Sequence, residues 1–343
     1  MPVKVIDGAP RPLADAAGVR ERRLKKGHRR HRGRRINVAF LNNMGDAALA
    51  ATERQFLGLL EESAGEYELT LRRYRLETLA RAPEARAEIE RTHRPSSALK
   101  ADAPDALIVT GAEPKTNELD QEAFWRELAG VIDFARDSTH ASYFSCLAAH
   151  AAVLRLDGVR RRKLARKLTG VFTLAKASHH ALTEGFDWNA LAPHSRWNTL
   201  DEAELVAKGY QTVTRSAATG PDLFVKPGRS LLTFSQGHPE YDADTLGREF
   251  RRDLRLYAEA KRESPPLPPQ SYFMPQTEVA MMALAFRAER GAPIELGEPA
   301  RPRYSDPPPW RRTGAMMFQN WLTAIAARKD PEALDAARIR LGG

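Results

Sequence analysis

Segments with the apolar spacing of strands alternate with segments that have the spacing of helices along the first half of the chain. Most of the strand-like segments are nearly continuous apolar runs, which is typical of strands buried on both faces. Strands that alternate with helices in this way form a parallel sheet with helices on both faces. The pattern therefore predicts an α/β fold with a mostly parallel sheet. The strand-like segments are residues 36–44, 67–76, 105–113 and 141–146, and the helix-like segments are residues 51–63 and 124–138.

The second half of the chain continues the pattern, with strand-like runs at 168–172 and within 203–216. Residues 230–254 read as a strand that breaks at Gly237 and passes into a helix near Asp242, and a closing helix is predicted around 316–327.

The predicted organisation is one α/β domain over residues 36–330. Its proline-rich segment, 264–310, is expected to form surface connections, because neither side of it shows a separate core. Residues 1–35 are expected to be a flexible basic arm, and residues 331–343 a C-terminal tail.

The positive charge is confined to one segment. The chain carries a formal net charge of +9, and residues 20–35 hold ten Arg or Lys against one acid, Glu21, so that this segment accounts for the whole excess. A run of this kind is usually a solvated arm, although it could contact RNA or another polyanion. No aromatic residues are interleaved to stack on bases, which weakens the RNA interpretation. An RNA- or partner-binding protein that uses the arm stays open as a non-enzymatic alternative.

Several classes of protein are disfavoured by composition. A single cysteine cannot form an internal disulfide, and no apolar run approaches the length of a membrane span, so we expect a cytoplasmic protein without a membrane segment. His179 and His180 are adjacent and lack a third ligand nearby, so no metal site is predicted. Glycine-rich loops of the Rossmann or Walker type are also absent from the sequence.

The only cysteine, Cys146, lies where a strand-like run meets an alanine-rich helix start, in "YFSCLAAHAAVL" (143–154). At such a turn the unpaired N–H groups and the dipole of the helix lower the pKa of a thiol and offer a site for an oxyanion. A buried cysteine that packs as a small apolar residue is the alternative. The position favours a nucleophile.

A thiol nucleophile needs a base, and the base needs a group that fixes its tautomer. The segment "QGHPEYD" supplies His238 and Glu240 directly after a predicted strand. Residues two apart in extended chain share a face, so Glu240 could hold one ring nitrogen while the other meets the thiol. The sequence therefore predicts a triad of Cys146, His238 and Glu240.

The order of these residues, together with several sequence blocks, resembles the homoserine O-acyltransferases of the succinyltransferase type. The resemblance runs from about Ile36 to about Ala327 and is carried by "IVTGA", "TGVF", "LAPHSRWN", "GHPEYDADTLGREFRRD" and "FQNWL". It implies a class I glutamine amidotransferase-like, flavodoxin-like fold. It also implies transfer of an acyl group from acyl-coenzyme A to Cys146 and then to the homoserine hydroxyl, the first committed step toward methionine.

The resemblance further implies three residues that bind the acceptor amino acid: Lys167, Ser195 and Arg252. A bidentate arginine suits the acceptor carboxylate. The donor and acceptor would be small-molecule substrates, no cofactor is implied, and a homodimer is expected, with the "NWL" helix (320–322) as a candidate contact.

Two segments depart from the family pattern. After the first strand the family commonly carries a lysine pair, whereas this chain reads "LNNMGDAALAATE" without lysine. In the loop "TGAEPKTNELD", an ungapped match places Lys115 at the position that accompanies donor choice. A lysine could pair with a succinyl carboxylate, so we expect succinyl rather than acetyl as the donor group.

Two enzymatic alternatives stay open at this point. A relative that acts on another hydroxyl amino acid, such as serine, would share the triad. A glutamine amidotransferase-like hydrolase would have the same order of residues, but that family flanks its cysteine with glycines, whereas Cys146 follows Ser145 and precedes Leu147.

Overall fold

The computed structural model describes four stretches of the chain, residues 3–6, 35–187, 189–297 and 299–331. Most of the predicted basic arm, residues 7–34, and nearly all of the predicted tail, residues 332–343, lie outside the described residues.

A central sheet of nine strands carries the fold. Its order is β1-β3-β2-β5-β6-β14-β13-β10, with β4 beside β3. All neighbouring strands from β1 to β14 run parallel, whereas β13 and β10 continue the sheet in antiparallel fashion. The strands are β1 (Val3–Ile6), β2 (Arg35–Leu41), β3 (Glu68–Arg75), β4 (Arg94–Pro95), β5 (Ala106–Val109), β6 (Ala141–Ser145), β7 (Arg162–Thr173), β8 (Ala175–Lys176), β9 (Leu191–Thr199), β10 (Gln211–Thr212), β11 (Thr214–Ser216), β12 (Gly220–Pro221), β13 (Leu223–Lys226) and β14 (Leu231–Ser235).

Helices cover both faces of this sheet. Successive residues of a strand point to opposite faces, so Leu107 packs in the core beneath α4 and α5, and Ile108 packs in the core beneath α1 and α9. The predicted α/β class with a mostly parallel sheet is therefore confirmed. None of the helices that the structure describes is long and apolar enough to cross a membrane. The helices are α1 (Asp46–Ser63), α2 (Pro83–Thr92), α3 (Leu99–Asp102), α4 (Trp125–Ser138), α5 (Leu147–Asp157), α6 (Glu202–Ala207), α7 (Thr245–Ala258), α8 (Pro275–Glu289) and α9 (Pro309–Lys329).

Two features of the sheet differ from the sequence pattern. The run at 168–172 belongs to β7, which pairs with β9 in a separate antiparallel ribbon rather than in the central sheet. The edge strand β1 pairs with β3 and was not predicted. Both are long-range pairings, which periodicity within one segment does not reveal.

The proline-rich segment is not a surface connection throughout. It contains α8, and the rings of Tyr272 and Phe273 are 0% and 2% exposed in a small core against α7 and Trp310. Backbone hydrogen bonds also tie Gln270 to Thr169 and Val171 of β7. The segment thus packs beside the antiparallel pair of β7 and β9.

The helix that carries "NWL" packs inside the chain. Trp321 and Leu322 are both 0% exposed and lie in the core against α1 and the sheet. Trp321 and Leu322 are therefore covered within the chain, and a contact of this helix with a partner stays a prediction. The predicted homodimer itself stays a prediction.

Candidate active site

Cys146 lies on a sharp turn between β6 and α5. Its backbone has φ 50° and ψ −109°, in a region that non-glycine residues rarely adopt, and α5 begins at the next residue. Strain of this kind persists where the surroundings enforce it, as at the turn that lifts a nucleophile above a sheet. The cysteine is free and only partly buried.

The sheet register brings the second catalytic segment beside the cysteine. Strands β6 and β14 are parallel neighbours in which Ser145 lies opposite Ser235, and the Cys146 N–H donates to the Ser235 carbonyl at 2.7 Å. Both strands therefore end at the same edge of the sheet, and the loop after β14 carries His238 and Glu240. The sequence predicts that these residues meet Cys146, and such a meeting requires β6 and β14 to be neighbours.

His238 and Glu240 form a buried pair. Nδ1 of His238 lies 2.8 Å from Oε1 of Glu240, and both side chains are more than nine-tenths buried. Burial alone would lower the pKa of His238, but the negative charges of Glu240 and Cys146 raise that pKa well above its ordinary value. Because Glu240 takes Nδ1, the ring presents Nε2 to the cysteine. The pair can therefore hold a proton taken from the thiol as an imidazolium.

The loop that holds this pair is fastened from several sides. The ring of Tyr241 stacks on that of His238, with the centroids 4.2 Å apart. The start of α9 closes over the loop, where Trp310 donates to the Tyr241 carbonyl and Arg311 to the Glu240 carbonyl. The imidazole is thereby fixed by contacts that do not depend on substrate.

The three predicted acceptor-binding residues lie around two carboxylates of α7. Ser195 Oγ donates to Glu249, and Lys167 Nζ lies 2.9 Å from Asp253 Oδ2 and 3.5 Å from Glu249 Oε2. Arg252 donates from Nε and Nη2 to Asp253 Oδ1. The structure therefore brings Lys167, Ser195 and Arg252 into one cluster.

Sequence reasoning missed the two carboxylates, which organise this cluster. Burial would raise the pKa of Glu249 and of Asp253, but Lys167 and Arg252 hold both below their ordinary values, so both are ionised. Their spacing of four residues in "EFRRD" places them on one helical face and was an available signal. Tyr241 connects the cluster to the triad, since its hydroxyl donates to Glu249 Oε1 at 2.8 Å.

Backbone N–H groups lie next to the nucleophile. Leu147 is the first residue of α5, so its N–H has no intrahelical partner. Gly111, at the end of β5, approaches this helix start so closely that a Cβ would lie 2.5 Å from the Leu147 Cβ and 3.2 Å from the Leu147 nitrogen. A developing oxyanion on a group bound to Cys146 would meet the helix N-terminus here.

The loop between β2 and α1 contains no lysine and is held by a cation from outside it. Arg81, from the segment before α2, donates to the carbonyls of Asn42 and Met44 and pairs with Asp46 at 2.8 Å. This arginine orders the loop between β2 and α1.

Lys115 lies in the loop after β5. Its side chain is exposed, and its N–H donates to the buried Glu122 at 2.6 Å. Despite burial, the pKa of Arg252 is raised above its ordinary value by the charge of Asp253 and, to a smaller extent, by those of Glu249 and the neighbouring Glu113. The role of Lys115 in donor choice stays a prediction.

No group of three or more His, Cys, Asp or Glu side chains within the described stretches is arranged to hold a metal ion.

A strained cysteine at a strand-to-helix turn, next to a buried His–Glu pair, is the arrangement of α/β enzymes that act through a thiol nucleophile. The sequence model of the homoserine O-succinyltransferase family matches residues 23–331, most of the chain. The chain belongs to this family of enzymes.

Named relatives agree with the family match. The chain is 42% identical to a homoserine O-succinyltransferase of Methylorubrum extorquens over 301 residues, which is 86% of this chain and 88% of the relative. Those of Rhodopseudomonas palustris and Bradyrhizobium japonicum are 39% and 38% identical, each over 85% of this chain and about nine-tenths of their own length.

Two solved glutamine amidotransferases are similar at 14% identity. The enzyme from Thermotoga maritima gives a TM-score of 0.48 over 85% of this chain and 98% of its own, and that from Methylobacillus flagellatus gives 0.44 over 86% and 93%.

Proposed function

We propose that this protein transfers a succinyl group from succinyl-coenzyme A to the hydroxyl of L-homoserine, through a thioester on Cys146. The observation that carries the proposal is the placement of Cys146 on its strained turn beside the buried His238–Glu240 pair. Membership of the homoserine O-succinyltransferase family supports the substrates.

In the first step, the Cys146 thiolate attacks the carbonyl carbon of the succinyl thioester. A new C–S bond forms, the bond to the coenzyme A sulfur breaks, and coenzyme A leaves with the proton that His238 held. The N–H of Leu147 and the dipole of α5 stabilise the tetrahedral oxyanion.

In the second step, the homoserine hydroxyl attacks the thioester. His238 takes the hydroxyl proton at Nε2, an oxygen ester forms, and Cys146 leaves as a thiolate. Glu240 stabilises the imidazolium that forms in this step, because its carboxylate is 2.8 Å from Nδ1 and buried with it.

The cluster on α7 has the charges that a free amino acid needs. Arg252 uses Nε and Nη2 for Asp253 and is more than half exposed, so its outer edge can take the acceptor carboxylate. Glu249 is ionised and can take the acceptor ammonium. Because Tyr241 contacts both Glu249 and His238, an acceptor bound here lies next to the base.

The proposal also covers the pathway, the compartment, the oligomeric state and the cofactor. The product is the activated homoserine that methionine synthesis consumes, and a free catalytic thiol suits the reducing cytoplasm. We expect a homodimer, which light scattering in solution tests, and a monomer mass would contradict it. No cofactor is assigned beyond the acyl-coenzyme A substrate.

The test is the intact mass of the full chain after brief mixing with succinyl-coenzyme A or acetyl-coenzyme A, without an acceptor. We expect a succinyl adduct on the wild type and none on Cys146→Ala, since the chain has no other cysteine. Homoserine should then discharge the adduct faster than serine does. A thermal melt checks that Cys146→Ala is folded.

Any other outcome of this experiment would refute the proposal or a particular part of it. An adduct that persists in Cys146→Ala would refute the thioester, and faster loading from acetyl-coenzyme A would refute the donor. Faster discharge by serine would refute the acceptor. No adduct from either donor would refute the proposal and leave glutamine hydrolysis as the reaction to assay.

A further inference from the structure

A further arginine joins the acceptor cluster from the segment after α7. Nη1 of Arg262 lies 2.7 Å from Asp253 Oδ2, the same carboxylate oxygen that lies 2.9 Å from Lys167 Nζ. Arg252 donates twice to the other oxygen, Oδ1. The carboxylate of Asp253 is therefore shared by three cations, and the reaction proposed above gives no role to Arg262.

The chain turns back on itself to bring Arg262 to this position. The Lys261 N–H donates to the Leu256 carbonyl and the Ala260 N–H donates to the Tyr257 carbonyl, which is the pattern of a Schellman motif at the end of α7. The left-handed residue of this motif is usually glycine, but here it is Ala260, with φ 55°. A strained conformation of this kind persists where the surrounding contacts enforce it.

The guanidinium of Arg262 is also held on its other sides, and its side chain is 13% exposed. Its Nε donates to the Ser264 carbonyl at 2.8 Å, and its Cζ lies 4.9 Å from the centroid of the Trp197 ring. Trp197 follows Ser195 by two residues on β9, so the two side chains share a face of the strand. Because Ser195 donates to Glu249, this face of β9 contacts both the carboxylate of Glu249 and the guanidinium of Arg262.

The charges of the cluster show what the third cation adds. Lys167 and Arg252 alone would be balanced by Glu249 and Asp253. With Arg262, three cations lie around two carboxylates among the contacts that the structure describes here, which leaves one positive charge in excess. An acceptor whose ammonium is bound by Glu249 can place its carboxylate against this excess charge.

The surroundings make these charges interact strongly. The side chain of Asp253 is 6% exposed, and Lys167, Asp253 and Arg262 line one small pocket together with Phe250 and Pro266. Ion pairs beside apolar walls attract more strongly than pairs in water. A cation that shares Asp253 therefore changes how much positive charge the other two cations can offer to a ligand.

We infer that Arg262 is a positioning residue for the acceptor, which takes up part of the charge of Asp253 so that Arg252 stays oriented and available for the acceptor carboxylate. The inference rests on the proposed function, since it concerns the acceptor site of the same reaction. Arg262 needs no contact with the substrate in this role. Its loss should therefore weaken use of the acceptor and leave the loading of Cys146 unchanged.

The test separates the two steps on the full chain. The enzyme is first loaded with succinyl-coenzyme A, and the discharge of the adduct is then followed by intact mass at increasing concentrations of homoserine. For Arg262→Gln, the half-saturating concentration of homoserine should rise by about tenfold, with the maximal discharge rate within about threefold of the wild type and the loading rate unchanged. A purely structural role would instead lower loading and maximal discharge together and leave the half-saturating concentration unchanged, and this result would overturn the inference.

Two further variants keep the inference falsifiable if Arg262→Gln does not fold. Arg262→Lys restores the charge but not the planar group against Trp197, so its half-saturating concentration should lie between those of the wild type and Arg262→Gln. Trp197→Leu keeps every charge and removes the ring that holds the guanidinium, and it should raise the half-saturating concentration by about threefold. Wild-type values in both variants would overturn the inference.

Arg72→Gln is the matched control. Asp102 is also a carboxylate shared by arginines, with Arg72 Nη1 at 3.1 Å and Arg94 Nε at 2.8 Å. It lies beside β3 and β4, which β2 and β5 separate from β6 in the sheet. The homoserine dependence of Arg72→Gln should match that of the wild type, and an equal rise would overturn the assignment to Arg262.

The wild type distinguishes failure of this inference from failure of the proposed function. A wild type that does not load, or that homoserine does not discharge, would refute the proposed function and this inference with it. A wild type that loads and discharges as proposed, with the same homoserine dependence in Arg262→Gln, would overturn the inference alone.

Discussion

Replacing Glu240 with glutamine removes one charge from the site and leaves its shape almost intact. The amide oxygen can still accept from His238 Nδ1, as Oε1 does at 2.8 Å. The amide nitrogen then falls at the position of Oε2, which has no hydrogen-bond partner in the part of the chain that the structure describes. The tautomer of the imidazole is preserved, and the stabilisation of the imidazolium is lost.

The size of this loss follows from the geometry. With Nδ1 and Oε1 in contact, the two charge centres lie roughly 4 Å apart, and at an effective dielectric constant of about 20 they attract by about 4 kcal/mol. This attraction stabilises both the thiolate–imidazolium pair and the transition state of the second step. Since about 1.4 kcal/mol corresponds to a factor of ten in rate, Glu240→Gln should lower kcat by about a thousandfold.

The assay is steady-state coenzyme A release with homoserine, from about pH 6 to about pH 9. Glu240 raises the pKa of His238, so its removal should lower that pKa. Because His238 must be neutral to take the hydroxyl proton, the rising limb of the profile should move to lower pH. A kcat within about tenfold of the wild type with an unchanged profile would refute the electrostatic reasoning.

A second buried His–Glu pair provides the matched control. His93 Nε2 lies 2.7 Å from Glu53 Oε1, between α1 and the end of α2. Glu53→Gln should reduce stability but leave kcat within about twofold of the wild type. A comparable loss of kcat in this variant would mean that global stability, rather than the charge on His238, sets the rate.

Three further variants test the acceptor and donor sites. Arg252→Lys should raise the KM for homoserine by about tenfold without slowing enzyme acylation, because a lysine cannot hold a carboxylate with two parallel bonds; an unchanged KM would make Arg252 a surface charge. Asp253→Asn should cost about 3 kcal/mol in urea unfolding at neutral pH, since Lys167 loses its buried partner. Lys167 and Arg252 lower the pKa of Asp253 against the effect of burial, so the stabilisation from Asp253 is fully present above the unfolded pKa of about 3.9. This stabilisation is lost as the pH falls through the folded pKa, so the unfolding free energies of the wild type and Asp253→Asn should become equal at low pH. A difference between them that does not change with pH would contradict this. Lys115→Glu should shift the ratio of succinyl to acetyl loading toward acetyl, and an unchanged ratio would remove Lys115 from donor choice.

Much of the candidate site could be predicted from the sequence, because each part of it is a pattern of residues that lie close together in the chain. A cysteine between a strand-like run and a helix start, and a His-x-Glu after another strand, are patterns within a few residues, and the motifs around Lys167, Ser195 and Arg252 are similarly local. Glu249 and Asp253 were also within reach, since their spacing of four is helical.

Other residues that surround the site belong to no such local sequence pattern. Arg196 reads as one more arginine in "PHSRW" until β9 folds over the catalytic edge and buries it against Thr219 and Asn198. Asp222 and Gly237 belong to different strands' ends, and their contact exists only because β13 and β14 pair.

The sequence by itself determined the α/β class, the order of most strands and helices of the central layers along the chain, and the residue types that can serve as nucleophile, base and orienting acid. It could do so because periodicity and turn chemistry act over a few residues. The tertiary structure alone decided that β7 leaves the central sheet, that Trp321 and Leu322 of the "NWL" helix are buried, and that Tyr272 and Phe273 form a core. It also decided which charges face Cys146, because burial and proximity arise from contacts between residues far apart in the chain, and these set the strength of every interaction at the site.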